Sequence, residues 1–435
     1  MKKAALHNLG CKVNAYETEA MQQLLEKAGY EIVPFKEAAD VYIVNTCSVT
    51  NIADRKSRQM LHRARKNNPK AVVVAVGCYV QAAAEELKKD AAVDVILGNN
   101  RKKDLLDVLE ACLREKNKQL AFMGQIGEEK EYESLQVAGS ISHTRAFIKV
   151  QDGCNQFCSY CIIPYTRGRV RSRTVKDTEN EVRSLAKAGC QEIVLTGIHL
   201  SSYGADFGEE KKETLLSLIQ RLHGIDGISR IRLGSLEPGI VSEAFAASLG
   251  KLPKICPHFH LSLQSGCNET LKRMNRHYTV EEYREKCAIL RRTFGNPAIT
   301  TDVIVGFPGE TKEEFSRTKT FLEQIHFYEM HVFKYSARSG TRAAKMPDQV
   351  PEEVKTQRSE ELLALERRMS FEYRQSFLGK RQQVLLEETM EIEGKSYLTG
   401  HTKEYVKVAV KAQGQRPNTL VDHVPEKMLT EEILF

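Results

Sequence analysis

The sequence has no tryptophan, no long apolar run and no strong excess of charge of either sign. No stretch approaches the ~20 consecutive apolar residues that a membrane-spanning helix needs, which argues against an integral membrane protein. The apolar run at the N-terminus, Ala4 to Leu6, is far shorter than the ~7–15 residues of a secretion-signal core. We therefore expect a cytoplasmic protein with no membrane partner. The missing tryptophan decides nothing about function.

Charge and length set broad limits on the class of protein. The 435 residues include 64 Lys and Arg against 57 Asp and Glu, a net charge of +7. That mild excess permits nucleic-acid binding without requiring it. A chain of this length predicts two or three domains, and its 41% hydrophobic and 28% charged residues are ordinary for a globular protein. No repeat of fixed period is present, so we do not expect a solenoid.

The N-terminal part, residues 1–115, alternates short apolar runs with amphipathic segments. This rhythm predicts a parallel sheet with helices on both sides. The polar segment that follows, residues 116–143, is rich in Glu, Ser and Gly and predicts a linker. The predicted strands are Ala4–Leu6, Val41–Val44 and Val72–Val76, and the predicted helices are Asn14–Ala28 and Ala53–Lys66.

Residues 144–370 continue with six strand-like runs separated by helical stretches, which predicts a partial TIM-like (βα)6 barrel with its site at the C-terminal strand ends. Short strands dominate residues 371–435 and predict a small all-β barrel. The whole chain is thus an α/β multidomain protein. The predicted central strands are Ala146–Val150, Glu192–Thr196, Arg230–Gly234, His258–Leu263, Thr300–Val305 and Glu329–Tyr335. The predicted central helices are Val175–Ala188, Val280–Arg292 and Lys312–Ile325, and the tail strands are Gln383–Glu387, Lys395–Thr399, Tyr405–Val410 and Thr419–Val421.

Cysteine is the residue type that points to chemistry. Eleven cysteines, an odd number in a chain expected to be cytoplasmic, argue for metal binding or catalysis rather than a disulfide framework. Cys154, Cys158 and Cys161 form a Cys-x3-Cys-x2-Cys loop after the first central strand. Zinc would need a fourth Cys or His nearby, and none follows. Three thiolates on a 4Fe-4S cluster leave one iron open for a chelating cofactor. Zinc or coincidence remains the alternative.

A second set of cysteines lies in the N-terminal domain. Cys11, Cys47 and Cys78 each follow a predicted parallel strand, and the carboxyl edge of such a sheet is where ligands bind. Either they form a second metal site or they are three buried thiols that act as small hydrophobes. The remaining five have no ligand-like spacing, and we interpret them as incidental; they are Cys112, Cys190, Cys256, Cys267 and Cys287. No histidine occurs in an HxE or HExxH pattern, so we assign none to a metal.

These features together resemble the methylthiotransferase family of radical S-adenosylmethionine (SAM) enzymes over essentially the whole chain. The C-terminal part resembles a TRAM domain, a small barrel associated with RNA binding. The motifs that carry the resemblance are NLGCKVN (Asn8–Asn14), NTCSVT (Asn45–Thr50), VGCYVQ (Val76–Gln81), GCNQFCSYCIIPYTRGRVRSR (Gly153–Arg173), SLQSGC (Ser262–Cys267) and TDVIVGFPGET (Thr301–Thr311).

The resemblance implies two 4Fe-4S clusters and SAM as cofactors. Cys154, Cys158 and Cys161 would hold the cluster that cleaves SAM, and Cys11, Cys47 and Cys78 would hold an auxiliary cluster that carries the transferred sulfur. One SAM would methylate that sulfur, and a second would yield a 5′-deoxyadenosyl radical that removes a hydrogen from an unactivated carbon. Such chemistry belongs to a cofactor, with the protein supplying orientation. A flavodoxin- or ferredoxin-type protein would donate electrons.

Candidate SAM contacts lie at the ends of the central strands, where backbone approach at glycine and hydrogen bonds from Ser, Glu and Gln would hold the ribose and amino acid portions. The alternative is that each is a turn residue. The candidates are Gly197, Ser235, Glu237, Gln264 and Gly306, together with the aromatic Tyr160 before the last cysteine of the loop.

The motifs from Asn45 to Gln59 resemble the branch that acts on threonylcarbamoyladenosine at position 37 of tRNA, which implies methylthiolation of carbon 2. Isopentenyl-adenosine in tRNA and a ribosomal-protein aspartate are the alternatives within the family, and a non-catalytic iron–sulfur RNA-binding protein is the alternative outside it. Two basic features are candidates for phosphate or carboxylate binding. They are the helix with Arg55, Lys56, Arg58, Arg63, Arg65 and Lys66, and the alternating row of Arg167, Arg169, Arg171 and Arg173.

The tail itself is not basic, since residues 372–435 contain 9 Lys and Arg and 10 Asp and Glu. An RNA-binding role for it therefore depends on the resemblance. A local patch of Lys403, Lys407 and Lys411 is still compatible with one, because alternate residues of a strand share a face.

Overall fold

The computed structural model describes residues 2–114, 119–137, 144–208, 213–412 and 414–435. Its N-terminal unit is a six-stranded parallel sheet with the order β2-β1-β3-β4-β5-β6. Apolar cores cover both faces of the sheet, as its continuous β-branched runs predict. The strands are β1 (Lys3–Asn8), β2 (Glu31–Ile32), β3 (Val41–Thr46), β4 (Val72–Gly77), β5 (Val95–Leu97) and β6 (Leu120–Phe122). The helices are α1 (Lys12–Lys27), α2 (Asn51–Asn67), α3 (Cys78–Ala82), α4 (Ala84–Leu87) and α5 (Leu105–Arg114).

The predicted parallel sheet is confirmed, and α2 begins where Thr50 accepts a hydrogen bond from the backbone N–H of Ala53. The predicted linker is partly wrong, since β6 lies inside it and pairs with β5 at the sheet edge. Leu135 and Val137 within the same segment are buried in a small core shared with α1. Residues 116–118 and 138–143 of the predicted linker lie outside the described residues.

The central unit contains the six predicted strands in chain order. They form two sheets, β10-β9-β7-β8 and β11-β12-β13, which parallel bridges from Ile231 to Ile255 and from Leu236 to Leu261 connect. The strands are β7 (Arg145–Asp152), β8 (Arg171–Ser172), β9 (Glu192–Gly197), β10 (Arg230–Leu233), β11 (His258–His260), β12 (Ala298–Val305) and β13 (Glu329–Lys334). The helices are α6 (Ile163–Thr166), α7 (Val175–Lys187), α8 (Leu215–His223), α9 (Glu243–Gly250), α10 (Asn268–Arg273), α11 (Val280–Phe294), α12 (Lys312–Ile325) and α13 (Glu352–Gln375).

Local sequence explains several of these helix starts. Thr279 with Glu282 and Thr311 with Glu314 form reciprocal capping boxes at the starts of α11 and α12. Helix α13 continues through the domain boundary predicted at residue 370 and ends at Gln375, so its last turn leads directly into the C-terminal strands.

The C-terminal unit is a five-stranded sheet with the order β17-β14-β15-β16-β18, antiparallel except for the pair β16 and β18. The predicted start of a strand at Tyr405 is wrong by two residues, because Tyr405 has a φ of +72° in the turn that precedes β16. The strands are β14 (Gln382–Ile392), β15 (Lys395–His401), β16 (Lys407–Lys411), β17 (Leu420–His423) and β18 (Ile433–Leu434).

Tyr405 connects the C-terminal sheet to the central unit. The guanidinium groups of Arg145 and Arg232 each lie 4.7 Å from its ring centre, and the ring of His401 stacks on it at 4.3 Å. Arg230 donates to the carbonyl of His401 at 2.9 Å. Arg145 and Arg230 begin β7 and β10, so the C-terminal sheet covers the end of the central strands opposite the cysteine loop. No helix in the described ranges has the length and apolarity needed to cross a membrane.

Candidate metal centres and the cavity between them

The loop after β7 brings three thiols together. Gly153 begins it with a φ of +71°, and the backbone N–H of Cys154 donates to the carbonyl of Gly168 at 3.0 Å. Burial raises the pKa of Cys154 to about 11, and burial followed by the nearby thiols of Cys158 and Cys154 raises the pKa of Cys161 to about 12. Buried thiols that act electrostatically on one another need a cation before they can ionise jointly, so the set fits a metal cluster.

Polar groups from other elements hold this loop. Arg276 donates to the Sγ of Cys158 at 3.3 Å and lies 3.5 Å from Glu237, and Gln156 donates to Glu237 at 3.1 Å. Burial opposes ionisation of Glu237, but the hydrogen bond from His199 and the charge of Arg276 lower its pKa. The sequence did not predict a role for Arg276, because this residue lies 118 positions from Cys158 and belongs to no motif with a recognisable spacing.

The second set of cysteines lies at the carboxyl edge of the N-terminal sheet. Cys11 precedes α1, Cys47 follows β3 and Cys78 begins α3, on the adjacent strands β1, β3 and β4. Burial, followed by the charge of Cys78, raises the pKa of Cys47 to about 12. A Cβ at Gly10 would lie 2.8 Å from the Sγ of Cys47, so glycine allows the Cys11 turn to approach it closely. Three converging thiols on one sheet edge suit a second metal cluster.

Arg167 lies between the two sets of cysteines and is fully buried. Its Nε donates to the Sγ of Cys78 at 3.2 Å, and its Nη1 donates to Glu17 at 2.7 Å. Its Nη2 donates to Asn14 at 2.5 Å. Because Arg167 follows Cys161 by six residues along the chain, this one side chain connects the loop of the first set to the second set.

A buried network of charges surrounds Arg167. Glu17 lies 2.6 Å from Lys149 and 3.3 Å from Lys102, and Lys149 lies 2.6 Å from Asp152. Burial opposes ionisation of Glu17, but the three cations around it hold its pKa well below the usual range. The network contains one more cation than carboxylates, which suits a neighbouring anionic thiolate cluster. Its members are Lys102, Lys149, Arg167 and Arg171 against Glu17, Glu133 and Asp152.

The predicted row of four arginines does not form one surface. Arg167 and Arg171 are buried in this network, and Arg173 is buried against Asp177 at 2.7 Å and against Glu181. Arg169 differs because it is exposed, with its guanidinium 4.6 Å from the ring centre of Phe157. Pairing with carboxylates from distant segments overrides the alternation that an isolated strand would show.

The predicted SAM contacts fall at several strand ends. The hydroxyl of Ser235 lies 2.8 Å from that of Ser262, and Glu237 lies beside the cysteine loop. A Cβ at Gly197 would lie 2.8 Å from Gln151, so this glycine allows close backbone approach at the end of β9. At Gly306 the aliphatic side chain of Lys355 already fills the adjacent space, since a Cβ on this glycine would lie 2.3 Å from it.

A cavity of about 220 Å³ lies between the N-terminal and central units. Val49 lines one side and Phe333 the other, and both are large apolar side chains left partly open to solvent, at 54% and 44% exposure. Tyr160 reaches it from the cysteine loop, and Gln264 and Asp302 add polar atoms. The structure thus brings Tyr160 and Gln264 to one cavity.

Asp302, which lines this cavity, lies beside two histidines of the central strands. His260 lies 3.4 Å from Asp302, and its ring stacks on that of His331 at 5.9 Å. Burial lowers the pKa of Lys12, and the charges of Arg232 and Arg145 lower it further. Lys12 follows Cys11 and is exposed to solvent.

The chain is similar to known proteins over most of its length. Residues 3–98 match the family described as "Uncharacterized protein family UPF0004", and residues 148–322 match the Radical SAM superfamily. The chain is 41% identical over 412 residues to threonylcarbamoyladenosine tRNA methylthiotransferase MtaB of Bacillus subtilis, covering 94% of this chain and 91% of that one. It is 36% identical over 386 residues to a tRNA-2-methylthio-N(6)-dimethylallyladenosine synthase of Clostridium botulinum, covering 87% and 85%.

Among solved structures, the fold resembles the radical SAM methyltransferase TsrM of Kitasatospora setae, with a TM-score of 0.59 at 16% identity over 79% of this chain and 77% of that one. That similarity concerns the fold alone. The identity to these relatives over most of the chain, together with the match to the radical SAM superfamily, establishes that this chain belongs to the radical SAM tRNA methylthiotransferase family.

Proposed function

We propose that this protein adds a methylthio group to carbon 2 of N6-threonylcarbamoyladenosine at position 37 of tRNA, consuming two molecules of SAM. The observation that carries the choice of substrate is the 41% identity over 94% of the chain to a relative named for threonylcarbamoyladenosine in tRNA. We place the reaction in the cytoplasm, with a flavodoxin- or ferredoxin-type electron donor.

In this proposal Cys154, Cys158 and Cys161 hold the SAM-binding 4Fe-4S cluster, and Cys11, Cys47 and Cys78 hold an auxiliary 4Fe-4S cluster. When bound, these groups supply the electron that cleaves SAM and the sulfur that is transferred. The protein orients the reacting groups and excludes water from them.

Side chains around the cysteine loop orient SAM. Glu237 offers a hydrogen-bond acceptor beside Cys154, Ser235 offers a hydroxyl just after β10, and the apolar ring of Tyr160 excludes water from the adjacent cavity. Arg276 orients Cys158, and Arg167 orients Cys78.

We further propose that the six central strands form the partial (βα)6 barrel of a radical SAM core and that the C-terminal sheet is a TRAM-type RNA-binding barrel. The exposed Arg169 and the exposed basic residues of α2 would contact tRNA phosphates. On α2 these are Arg55, Lys56, Arg58, Arg63 and Lys66.

A second candidate substrate is isopentenyl-adenosine in tRNA, because relatives named for the dimethylallyl nucleoside are 36–38% identical to this chain. Nucleoside mass spectrometry of total tRNA from cells with and without the gene separates the two. We expect loss of methylthio-threonylcarbamoyladenosine and accumulation of its precursor. Loss of the methylthio-isopentenyl nucleoside instead would reassign the substrate, and an unchanged tRNA profile would contradict both.

A further inference from the structure

A short segment of the central unit contacts both sets of cysteines. It comprises residues 336–343, which follow β13, and we call it the bridging segment. At one end, the hydroxyl of Ser336 accepts a hydrogen bond from the backbone N–H of Asn51 at 3.2 Å. At the other end, the backbone N–H of Ala343 donates to the carbonyl of Ser159, in the cysteine loop after β7, at 2.8 Å. The same short segment thus reaches the N-terminal unit and the cysteine loop.

Arg338 joins the bridging segment to the start of α2, and its side chain is buried. Its Nη1 donates to the side chain of Asn51 at 2.7 Å. Its Nη2 donates to the hydroxyl of Ser48 at 2.8 Å and to the carboxylate of Asp54 at 2.6 Å. Asp54 also accepts a hydrogen bond from Ser48 at 2.8 Å, so these three side chains hold one another in place.

Cys47 is fixed to the same part of α2. It directly precedes Ser48, and its backbone N–H donates to the hydroxyl of Ser57 at 3.2 Å. That hydroxyl donates in turn to the carbonyl of Cys47 at 3.1 Å. Groups that hold a metal-binding residue from behind set its position. Arg338 therefore fixes Cys47 relative to the central unit through Ser48 and the first turn of α2.

The other end of the bridging segment packs against the cysteine loop. The Nη2 of Arg342 donates to the carbonyl of Phe157 at 3.2 Å, and Ala343 is fully buried in an apolar cluster that Tyr160 joins. Between the two ends, the hydroxyl and the backbone N–H of Thr341 both donate to one carbonyl of the segment and close a turn. The bridging segment is thus a compact spacer between the two sites.

We propose that Arg338 is a positioning residue that, through the bridging segment, sets the separation of the two cysteine sites. This inference rests on the proposed function, in which both sites act on one carbon of the substrate. That carbon must face both sites in a single pose, and a misplacement of ~1 Å can cost ~10²-fold in rate. The cavity in which the sites meet has Ser336 of the bridging segment in its wall, together with Val49 and Tyr160.

The test uses enzyme with both clusters reconstituted, SAM, a reductant and an anticodon stem-loop that carries threonylcarbamoyladenosine. The measured quantity is the methylthiolated nucleoside formed per molecule of 5′-deoxyadenosine. We expect Arg338→Gln to lower this ratio by about 10–100-fold, while the iron content and the formation of 5′-deoxyadenosine stay near those of the unsubstituted enzyme. Arg338→Lys should recover part of the ratio, because an ammonium retains the ion pair with Asp54.

Two further measurements separate positioning from general stability. Asp54→Asn should lower the ratio as well, and adding it to Arg338→Gln should lower the ratio no further, because the two residues share one contact. The magnetic coupling between the two reduced clusters, measured by electron paramagnetic resonance, depends on their separation and should change in Arg338→Gln. Arg367→Gln, at an exposed arginine of α13, is the control and should change neither value.

An unchanged ratio in Arg338→Gln would overturn the proposal. Equal losses of product and 5′-deoxyadenosine, or loss of iron, would also overturn it, because Arg338 would then support the fold or a cluster. If Arg338→Gln does not fold, the ratio in Arg338→Lys and Asp54→Asn decides. Failure of the proposed function looks different, since the unsubstituted enzyme itself would form no methylthiolated nucleoside on this stem-loop, whereas the magnetic coupling would still report the effect of Arg338.

Discussion

Arg167 donates its Nε–H to the Sγ of Cys78 across 3.2 Å, although the two residues are 89 positions apart in the chain. The same guanidinium donates to Glu17 and Asn14 of helix α1. Arg167 follows the loop that carries Cys154, Cys158 and Cys161, whereas Cys78 belongs to the N-terminal unit. The contact therefore fixes the two sets of cysteines relative to each other through one rigid, planar group.

Replacing Arg167 should change the auxiliary site before it changes the radical SAM site. A lysine at position 167 cannot donate hydrogen bonds to Cys78, Glu17 and Asn14 together, because its ammonium lacks the several coplanar N–H donors of a guanidinium. We expect Arg167→Lys to shift the midpoint potential and the electron paramagnetic resonance signal of the auxiliary cluster, measured with Cys154, Cys158 and Cys161 all replaced by Ala. Arg167→Met should also lower the free energy of unfolding by about 1–3 kcal/mol, since Glu17 and Asn14 lose a buried hydrogen-bond donor although Lys149 and Lys102 still neutralise Glu17. Arg169→Lys, at an exposed position of the same segment, is the control. Unchanged spectra in Arg167→Lys would show that Arg167 does not act on the cluster at Cys78.

The two sets of cysteines should bind iron independently. Replacing Cys154, Cys158 and Cys161 by Ala should leave about four iron atoms per chain, and replacing Cys11, Cys47 and Cys78 should do the same. Only the first variant should lose reductive cleavage of SAM. Iron analysis and 5′-deoxyadenosine formation measure the two effects, with Cys112→Ala as the control. A full complement of iron in either triple variant would show that those cysteines are not ligands.

Gly153 should tolerate no side chain. A Cβ there would lie 1.8 Å from the carbonyl oxygen of Arg169, and the φ of +71° is itself unfavourable for other residues by about 1–2 kcal/mol. We expect Gly153→Ala to lower thermal stability and the iron content of the adjacent loop. Gly189→Ala separates the two causes, because that glycine also has a positive φ but has no atom within 4 Å of the added Cβ. Similar losses in both variants would mean that the close contact at Gly153 is not the cause.

The interface between the central and C-terminal units should weaken in mild acid. Burial lowers the pKa of His401 and, more strongly, that of His258. Below about pH 6.5 the unfolded chain therefore takes up protons that these folded imidazoles do not, and stability falls as the pH decreases, by up to about 1.4 kcal/mol per pH unit for each histidine. Urea unfolding between pH 7.5 and 5.5 should show a shallower pH dependence for His401→Gln than for the unsubstituted chain. His326→Gln, at an exposed position, serves as the control. If stability depended on pH as steeply in His401→Gln as in the unsubstituted chain, His401 would not be a source of the acid sensitivity.

Sequence periodicity was sufficient for most of the secondary structure. The run of Val and Ala residues in β4 indicates a strand buried on both faces, and Thr311 with Glu314 marks the first turn of α12. These features depend on residues within one element. The edge strand β6 was missed because three residues in a polar segment carry no periodic signal, and only pairing with β5 makes them a strand.

By itself, the sequence determined the six candidate ligand cysteines and the strands that they follow, because both depend on local spacing. Only the tertiary structure decided which charges face the sites. Arg167 pairs with Glu17 from 150 residues away, and Arg276 reaches Cys158 from 118 residues away. Whether a cation is neutralised within the protein or left for a ligand depends on which distant carboxylates fold against it, and no local pattern encodes that pairing.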